Sequence, residues 1–415
     1  MLMVCEDQTH GRRSPMSCRE AVYQWVAEVG DRFPHLSPAQ VRVLALWSFG
    51  MVVARSCALT AVSLLLAGIL GRAPNTVRQQ LREGVYEAAA KRGARRRELV
   101  VRSCFAPLLR WVLARWEGRQ VALALDATSL GDRFVVLAVS VVYRGCAIPV
   151  SWTVLPAGQK GAWRGTWLRL LRDLRPAVPR GWTVIVLADR GLYAPWLFRR
   201  IVRLGWHPFL RVNLGGTFRP ACGRAFLPFR SLVPRPGDRW SGTGVAFKTA
   251  ASRLPCTLLA CWEAGYTDPW LILTDLPPEA GDAGWYGLRA WVEQGFKVTK
   301  RGGFQWQRTR MTDPDRAARL WLAVAVATLW LLSVGGEAED AIPDSTLPDV
   351  TAALGRARRQ RRATRLRLVS VFRRGWAAVI AALLTARPLP GGSFRPEPWP
   401  SLPPIAAHTS ASQPA

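Results

Sequence analysis

The spacing of apolar and polar residues divides the chain into helical and strand-forming regions. Residues 19–90 repeat apolar positions at the helical period, and Ser17 and the pair Ser37 and Pro38 are typical helix starts. Residues 119–215 instead alternate short apolar strands with amphipathic helices in the order β-β-β-α-β-α-β. This order predicts an α/β fold with a mixed sheet whose first strands are antiparallel.

The second half of the chain changes character several times. Residues 215–275 are dense in Gly, Pro and aromatic residues with short strand-like pieces, which predicts a β-rich insertion. Helical patterns return at residues 285–300 and, after Asp313 and Pro314, over a longer stretch to about residue 334. Residues 351–386 are predicted to be helical and strongly basic, and the Pro-rich segment from residue 388 is predicted to be disordered. The arginines of the basic region are Arg356, Arg358, Arg359, Arg361, Arg362, Arg365 and Arg367.

Apolar runs and cysteines exclude several classes of protein. The runs at residues 52–70 and 320–334 are too polar or too short for membrane spans of roughly 20 residues, so we expect buried helices and no membrane association. The eight cysteines include no Cys-x-x-Cys pair and the four histidines are isolated, which argues against a zinc site. The polar start lacks a signal-peptide pattern, so free thiols in a cytoplasmic protein are expected.

Charge points to a polyanionic partner. The net charge is +29, which favours nucleic acid, since a ribosomal-type or membrane-surface protein would less often carry 20 Trp residues as well. Residues 71–84 form a short turn and a basic helix, as in a helix-turn-helix. The side chains available for phosphates or base edges are Asn75, Thr76, Arg78, Gln79 and Arg82. A solvated basic face of an ordinary helical hairpin would look the same.

The stretch at residues 285–300 carries polar side chains on one predicted helix face. The positions at this spacing are Tyr286, Arg289, Glu293 and Lys300. The opposite face carries Leu288, Val292 and Phe296, which suit a core. A single acid among cations on a half-buried helix is explained if the acid holds a metal and the cations bind a phosphate.

Two aspartates, Asp126 and Asp189, follow apolar strands directly. If those strands are neighbours, their carboxylates converge at the strand ends, although either residue alone could be a turn or cap aspartate. Together with Glu293 they would repel one another unless a divalent cation lay between them. Oxygen ligands with open positions suit Mg²⁺ or Mn²⁺, and two such ions can activate a water or a 3′-hydroxyl against a phosphodiester.

These residues resemble the DDE transposases of the insertion-sequence-4 superfamily. The signature of that family is Tyr-(2)-Arg-(3)-Glu-(6)-Lys, which matches Tyr286, Arg289, Glu293 and Lys300. Residues 126–128 (Asp-Ala-Thr) and 189–193 (Asp-Arg-Gly-Leu-Tyr) resemble the two aspartate motifs of the family, and residues 270–274 resemble its Trp-led strand. The resemblance covers about residues 119–335.

The resemblance implies a ribonuclease H-like catalytic domain in which Asp126, Asp189 and Glu293 hold two Mg²⁺ ions, with Mn²⁺ able to substitute. The implied reaction is cleavage at transposon ends followed by strand transfer of the 3′-hydroxyl into target DNA, with a hairpin intermediate in some members. The residues implied to contact phosphates near the cleaved end are Tyr286, Arg289 and Lys300. The implied partners are double-stranded DNA and a second copy of the chain in a synaptic complex.

The resemblance leaves two residue roles and two further functions open. Trp270 could stack on a flipped base or be a core residue, and Arg190 could touch DNA or pair with an acid. A structure-specific nuclease on the same fold, or a catalytically silent DNA-binding protein derived from a transposase, would share these features. The expected organisation is a disordered N-terminus (1–18), a helical DNA-binding domain (19–98), a catalytic domain in two parts (99–214 and 276–335) separated by the insertion (215–275), a basic helical region (336–387) and a disordered tail (388–415).

Overall fold

The computed structural model describes residues 16–91, 97–159, 163–342 and 369–400. Its N-terminal region is helical, as predicted. The helices are α1 (Cys18–Arg32), α2 (Pro38–Ala54), α3 (Leu59–Leu70) and α4 (Pro74–Gly84). The hydroxyl of Ser17 accepts from the backbone N–H of Glu20, and that of Ser37 from the N–H of Gln40, so both predicted caps are confirmed.

The next region has the predicted order β-β-β-α-β-α-β. After α5 (Phe105–Ala114), the elements are β1 (Gln120–Leu130), β2 (Phe134–Tyr143), β3 (Cys146–Pro156), α6 (Arg164–Leu174), β4 (Thr183–Ala188), α7 (Pro195–Arg203) and β5 (His207–Arg211). Strands β1, β2 and β3 pair antiparallel, whereas β1, β4 and β5 pair parallel. The sheet is therefore mixed, flanked by helices, and ribonuclease H-like.

The β-rich insertion continues this sheet. It contains β6 (Thr217–Pro220), β7 (Leu227–Pro228), α8 (Phe229–Leu232), β8 (Arg239–Ala246), β9 (Leu254–Cys261) and β10 (Trp270–Thr274). Because β10 pairs antiparallel with β5, one ten-stranded sheet results, in the order β3-β2-β1-β4-β5-β10-β9-β8-β6-β7. The insertion thus returns the chain to the sheet beside β5, the parallel neighbour of β4.

The chain after the insertion is helical. A 3₁₀ helix (Ala283–Ala290) leads into α9 (Trp291–Lys297) and a π-helical turn (Val298–Gly302), and then come α10 (Pro314–Asp340) and α11 (Val371–Leu384). The arginine cluster predicted between residues 351 and 367 lies outside the described residues. The apolar helix predicted after it corresponds to α11.

Helix α10 forms the centre of the fold. It is long and apolar enough to cross a membrane, but 89% of its most apolar window is buried inside the protein, as predicted for residues 320–334. It packs against α2, α11 and β3, and Trp330 stacks on Trp25 of α1 with ring centroids 4.1 Å apart. The N-terminal helices and the ten-stranded sheet therefore share one core.

Residues 386–400, which we call the C-terminal strap, pack against the core. This differs from the disordered tail predicted from residue 388; residues 401–415 lie outside the described part. The ring of Phe394 is fully buried against Trp116 and Tyr143, and the indole N–H of Trp330 donates to the carbonyl of Pro390 at 3.0 Å. Such long-range contacts have no periodic signature in the sequence.

The cysteines in the described part of the chain are free thiols, as expected. Burial raises the pKa of Cys57, Cys104 and Cys146 to about 12, so these thiols are unreactive core residues.

Candidate active site

Neighbouring parallel strands bring Asp126 and Asp189 together. The register aligns Ala124 of β1 with Leu187 of β4, so residue 126 lies beside residue 189, the first after β4. The sequence suggested that β1 ends at Asp126. This prediction is wrong, because β1 continues to Leu130 through its pairing with β2. The expected convergence of the two strands is confirmed, and Asp126 is held by a longer strand than predicted.

Glu293 reaches the same point from α9. The apolar residues Val292 and Phe296 are buried, as predicted, and α9 packs closely on β3. A Cβ at Gly295 would lie 3.0 Å from the backbone oxygen of Ala147, so the absence of a side chain permits this approach. This close packing fixes the position of α9 on the sheet and with it the position of the Glu293 side chain.

The guanidinium of Arg289 lies among the three carboxylates. Its Nη2 atom is 3.1 Å from Asp126 Oδ2 and 3.3 Å from Asp189 Oδ2, and its Nη1 atom is 3.3 Å from Glu293 Oε1. Arg289 and Asp126 are largely buried, whereas the Asp189 and Glu293 side chains are 41% and 61% exposed. The site is therefore open on the side of Asp189 and Glu293.

The charge of the site is unbalanced. Burial raises the pKa of Asp126; Asp189 and Glu293 raise it further, while Arg289 and the backbone N–H of Ala127 oppose the shift. Three carboxylates against one guanidinium leave an excess of negative charge that a divalent cation would neutralise.

The donor set fits a divalent ion, but the side-chain positions are not those of a metal-bound site. All three donors are carboxylate oxygens, the ligands that Mg²⁺ and Mn²⁺ prefer. Among the described residues, no three His, Cys, Asp or Glu side chains stand close enough together to hold one ion. In this arrangement Arg289 is the shared partner of the carboxylates.

The polar residues of the stretch at 285–300 do not share one helix face. The prediction of a single α-helix is wrong, because the stretch passes from a 3₁₀ helix through α9 to a π-helical turn. Tyr286 is buried, its ring 5.5 Å from that of Trp270, and burial raises the pKa of its phenol. The ammonium of Lys300 donates to Thr128 Oγ1 and to the carbonyl of Ser129, each at 2.7 Å.

Lys300 therefore ties the end of this helical stretch to β1. Its backbone is non-helical (φ −90°, ψ −122°), which turns the side chain toward the strand two residues beyond Asp126. Burial lowers the pKa of the ammonium. The lysine holds Asp126 and Glu293 in a fixed relation by joining their two elements.

The recorded contacts of Trp270 and Arg190 are with residues other than the three carboxylates. Trp270 is partly exposed at the start of β10, between the rings of Tyr286 and Tyr266. The guanidinium of Arg190 pairs with Asp268 at 3.0 Å, which is the acid-pairing alternative considered from the sequence. Arg190 follows Asp189 in the chain and Trp270 contacts Tyr286, so both are linked to the site only indirectly.

The predicted helix-turn-helix residues lie elsewhere, on α4. Asn75, Thr76, Arg78, Gln79 and Arg82 are all exposed, while Val77 and Leu81 on the opposite face are buried against neighbouring helices. Gln79 donates to Glu83 and Arg82 to the hydroxyl of Tyr86. Helix α4 thus presents a polar, basic surface separate from the carboxylate site.

Arg211 is a site residue that the sequence reasoning missed. It ends β5, the parallel neighbour of β4, and lies 5.9 Å from the ring centroid of Tyr286. Its Nε atom is buried without a hydrogen-bond partner in the described structure. Its position at the end of an apolar strand could have indicated this, because the carboxyl ends of neighbouring parallel strands meet at one edge of a sheet.

The comparison with known families agrees with this geometry. Residues 122–330, about half of the chain, match the family model described as the transposase DDE domain. The matched range begins in β1 and ends in α10, so it includes all three carboxylates and the insertion. No curated protein matches the chain.

Proposed function

The chain belongs to the family of transposase DDE domains, and from this premise we propose that it is a cut-and-paste transposase of the insertion-sequence-4 type. The observation that carries the proposal is the convergence of Asp126, Asp189 and Glu293, from three separate elements, on one guanidinium. The spacing of Tyr286, Arg289, Glu293 and Lys300 supports the assignment to that superfamily.

The three carboxylates are the proposed metal ligands. Transposases of this family depend on divalent metal ions. The proposed ions are two Mg²⁺, with Mn²⁺ able to substitute; when bound, they supply Lewis-acid activation of the attacking oxygen and stabilisation of the leaving oxygen. Asp126 and Asp189 are fixed by neighbouring strands, which prepares the donor set before DNA arrives.

The side chains around the carboxylates are proposed to hold the DNA end. Arg289 and Lys300 supply positive charge for phosphates, and Tyr286 supplies a phenol beside them. The partly exposed ring of Trp270 is proposed to stack on a base turned out of the duplex, and Arg190 to contact the backbone after leaving Asp268.

Other regions have proposed roles at the scale of the complex. Residues 19–98 would form the DNA-binding domain, with the exposed face of α4 on the duplex, and residues 99–214 and 276–335 the catalytic domain around the insertion. Transposon ends and target DNA are the proposed substrates, held by a homodimer in a synaptic complex. The proposed location is the bacterial cytoplasm, on the nucleoid.

The test is DNA cleavage by the full chain in Mg²⁺. DNA that carries the ends of the element should be nicked at those ends. Glu293→Gln should abolish the nicking, because it replaces one proposed metal-binding carboxylate by a neutral amide. Glu263→Gln, in the insertion and paired with Arg239, is the matched control and should retain activity.

Each alternative gives a distinct result in the same assay. Equal cleavage by the wild type and Glu293→Gln would refute the proposal. Cleavage of branched DNA without end sequences would instead identify a structure-specific nuclease. Binding of ends without any metal-dependent cleavage would identify a silent DNA-binding derivative.

A further inference from the structure

The contacts of Arg289 differ from those of Arg102 and Arg316, two arginines that each reach both oxygens of one acid. Arg102 reaches both oxygens of Asp173, and Arg316 reaches both oxygens of Glu87, each with at least one contact of 2.8 Å or shorter. Arg289 instead divides two nitrogens among three carboxylates at 3.1–3.3 Å, longer than the usual charge-assisted hydrogen bond of about 2.7–2.9 Å. It is held by the collective charge and by no single ideal pair.

The guanidinium is also incompletely satisfied. Its Nε atom is buried without a hydrogen-bond partner in the described structure. A buried donor without a partner is unfavourable, so Arg289 gives up one hydrogen bond in order to lie among the carboxylates. The arginine side chain is held here because the carboxylates need a cation.

The same oxygens cannot serve Arg289 and a metal ion together in this arrangement. The Nη2 atom lies within 3.3 Å of both Asp126 Oδ2 and Asp189 Oδ2, so it fills the space between them. An ion bound by these oxygens at about 2.0–2.1 Å would meet a second positive charge at close range. Metal binding therefore requires the guanidinium to leave.

We propose that Arg289 is an internal cation that occupies the carboxylate site in the metal-free protein and is displaced when divalent ions bind. This inference rests on the proposed metal-binding function of the same carboxylates. In the metal-free protein Arg289 keeps Asp126, Asp189 and Glu293 close together despite their repulsion. Once displaced toward the open side, where Glu293 is exposed, the guanidinium is free to meet a DNA phosphate.

The test is the affinity for Mn²⁺ of the full chain without DNA, measured by calorimetry and by electron paramagnetic resonance. If Arg289 competes with the ion, Arg289→Gln should bind Mn²⁺ about tenfold more tightly than the wild type. A structural partner of the metal-bound site would give the opposite sign, because its loss would disorder the ligands. Unchanged or weaker binding by Arg289→Gln overturns the inference.

Arg190→Gln is the matched control. It removes the same charge one residue from Asp189, but Arg190 contacts Asp268 and not the carboxylates. Its affinity for Mn²⁺ should change less than about twofold, which measures the general effect of charge. An equal gain in both variants would overturn direct competition.

Two further variants keep the result interpretable. Arg289→Lys retains the charge but loses the planar fork, so it should fold like the wild type and bind Mn²⁺ with intermediate affinity. Glu293→Gln should weaken Mn²⁺ binding. If the wild type bound no Mn²⁺, or Glu293→Gln changed nothing, the proposed metal function itself would fail, which differs from a failure of the Arg289 inference alone.

Discussion

At the scale of single residues, the candidate site brings like charges together, which lowers the stability of the folded protein. Asp126 is the most enclosed of the three carboxylates, and burial raises its pKa. Its identity as a candidate ligand could be predicted from the motif at residues 126–128. The convergence on Arg289 could not, because which cation faces an acid depends on the path of α9 and of the helix before it.

Asp126→Asn should therefore stabilise the metal-free protein. Removing one of three crowded carboxylates relieves repulsion, while Asp189 and Glu293 still satisfy Arg289. In buffer with a metal chelator we expect a melting temperature about 1–3 °C above that of the wild type. Asp173→Asn, which loses its pairing with Arg102, is the control and should show no gain. A lower melting temperature for Asp126→Asn would contradict the view that repulsion among the three carboxylates destabilises the metal-free protein.

At the scale of elements, local pattern predicted which residues form helices and strands but not how they are shaped. The apolar positions Leu288, Val292 and Phe296 are buried as their spacing required. The polar face was mispredicted because a 3₁₀ turn and a π-helical turn change the angle between successive side chains. The 3₁₀ segment packs on β4, β9 and β10, and Lys300 in the π-helical turn donates to Thr128; neither contact is visible in a local window of sequence.

Helix α4 offers an element-scale test of DNA contact. If its exposed face lies on the duplex, replacing both Arg78 and Arg82 by Gln removes two phosphate contacts. The slope of the logarithm of the binding constant against the logarithm of salt concentration should then decrease in magnitude by about 2. Binding measured by fluorescence anisotropy over a salt series gives this slope.

The matched control uses two exposed arginines of α6, Arg164 and Arg172. Replacing both by Gln changes the net charge equally but should leave the slope unchanged. If the two double variants lowered the slope by the same amount, the contact would be diffuse and α4 would have no special role.

At the scale of the whole molecule, the helical region, the sheet and the strap close around α10. The sequence pattern predicted the order of the first five strands along the chain and the antiparallel pairing of the first ones, whereas the adjacency of β1 and β4 was only a condition. The continuation of the sheet through β10 and the course of the strap did not follow. Both depend on pairings between distant segments, such as the hydrogen bond from Met16 N–H to the carbonyl of Ala386.

The strap should make a large contribution to stability. Phe394→Ala removes a fully buried ring from between Trp116 and Tyr143 and should lower the free energy of unfolding by about 3–5 kcal/mol. Leu384→Ala, at a side chain that is 81% exposed, is the control and should stay within about 0.5 kcal/mol. Urea unfolding followed by tryptophan fluorescence measures both. A small cost for Phe394→Ala would mean that the strap is not part of the folded core.

The strap can pack on the core only late in the synthesis of this protein, because it follows all the segments that it contacts. A ribosome makes Trp116, Tyr143 and Trp330 long before it makes Phe394 and Pro390, which cover or bond them. In that interval the nascent chain exposes aromatic surface to chaperones and proteases. A gene copy with a premature stop codon before residue 390 would therefore yield protein that is degraded or aggregated, and not a stable inactive competitor for the same DNA.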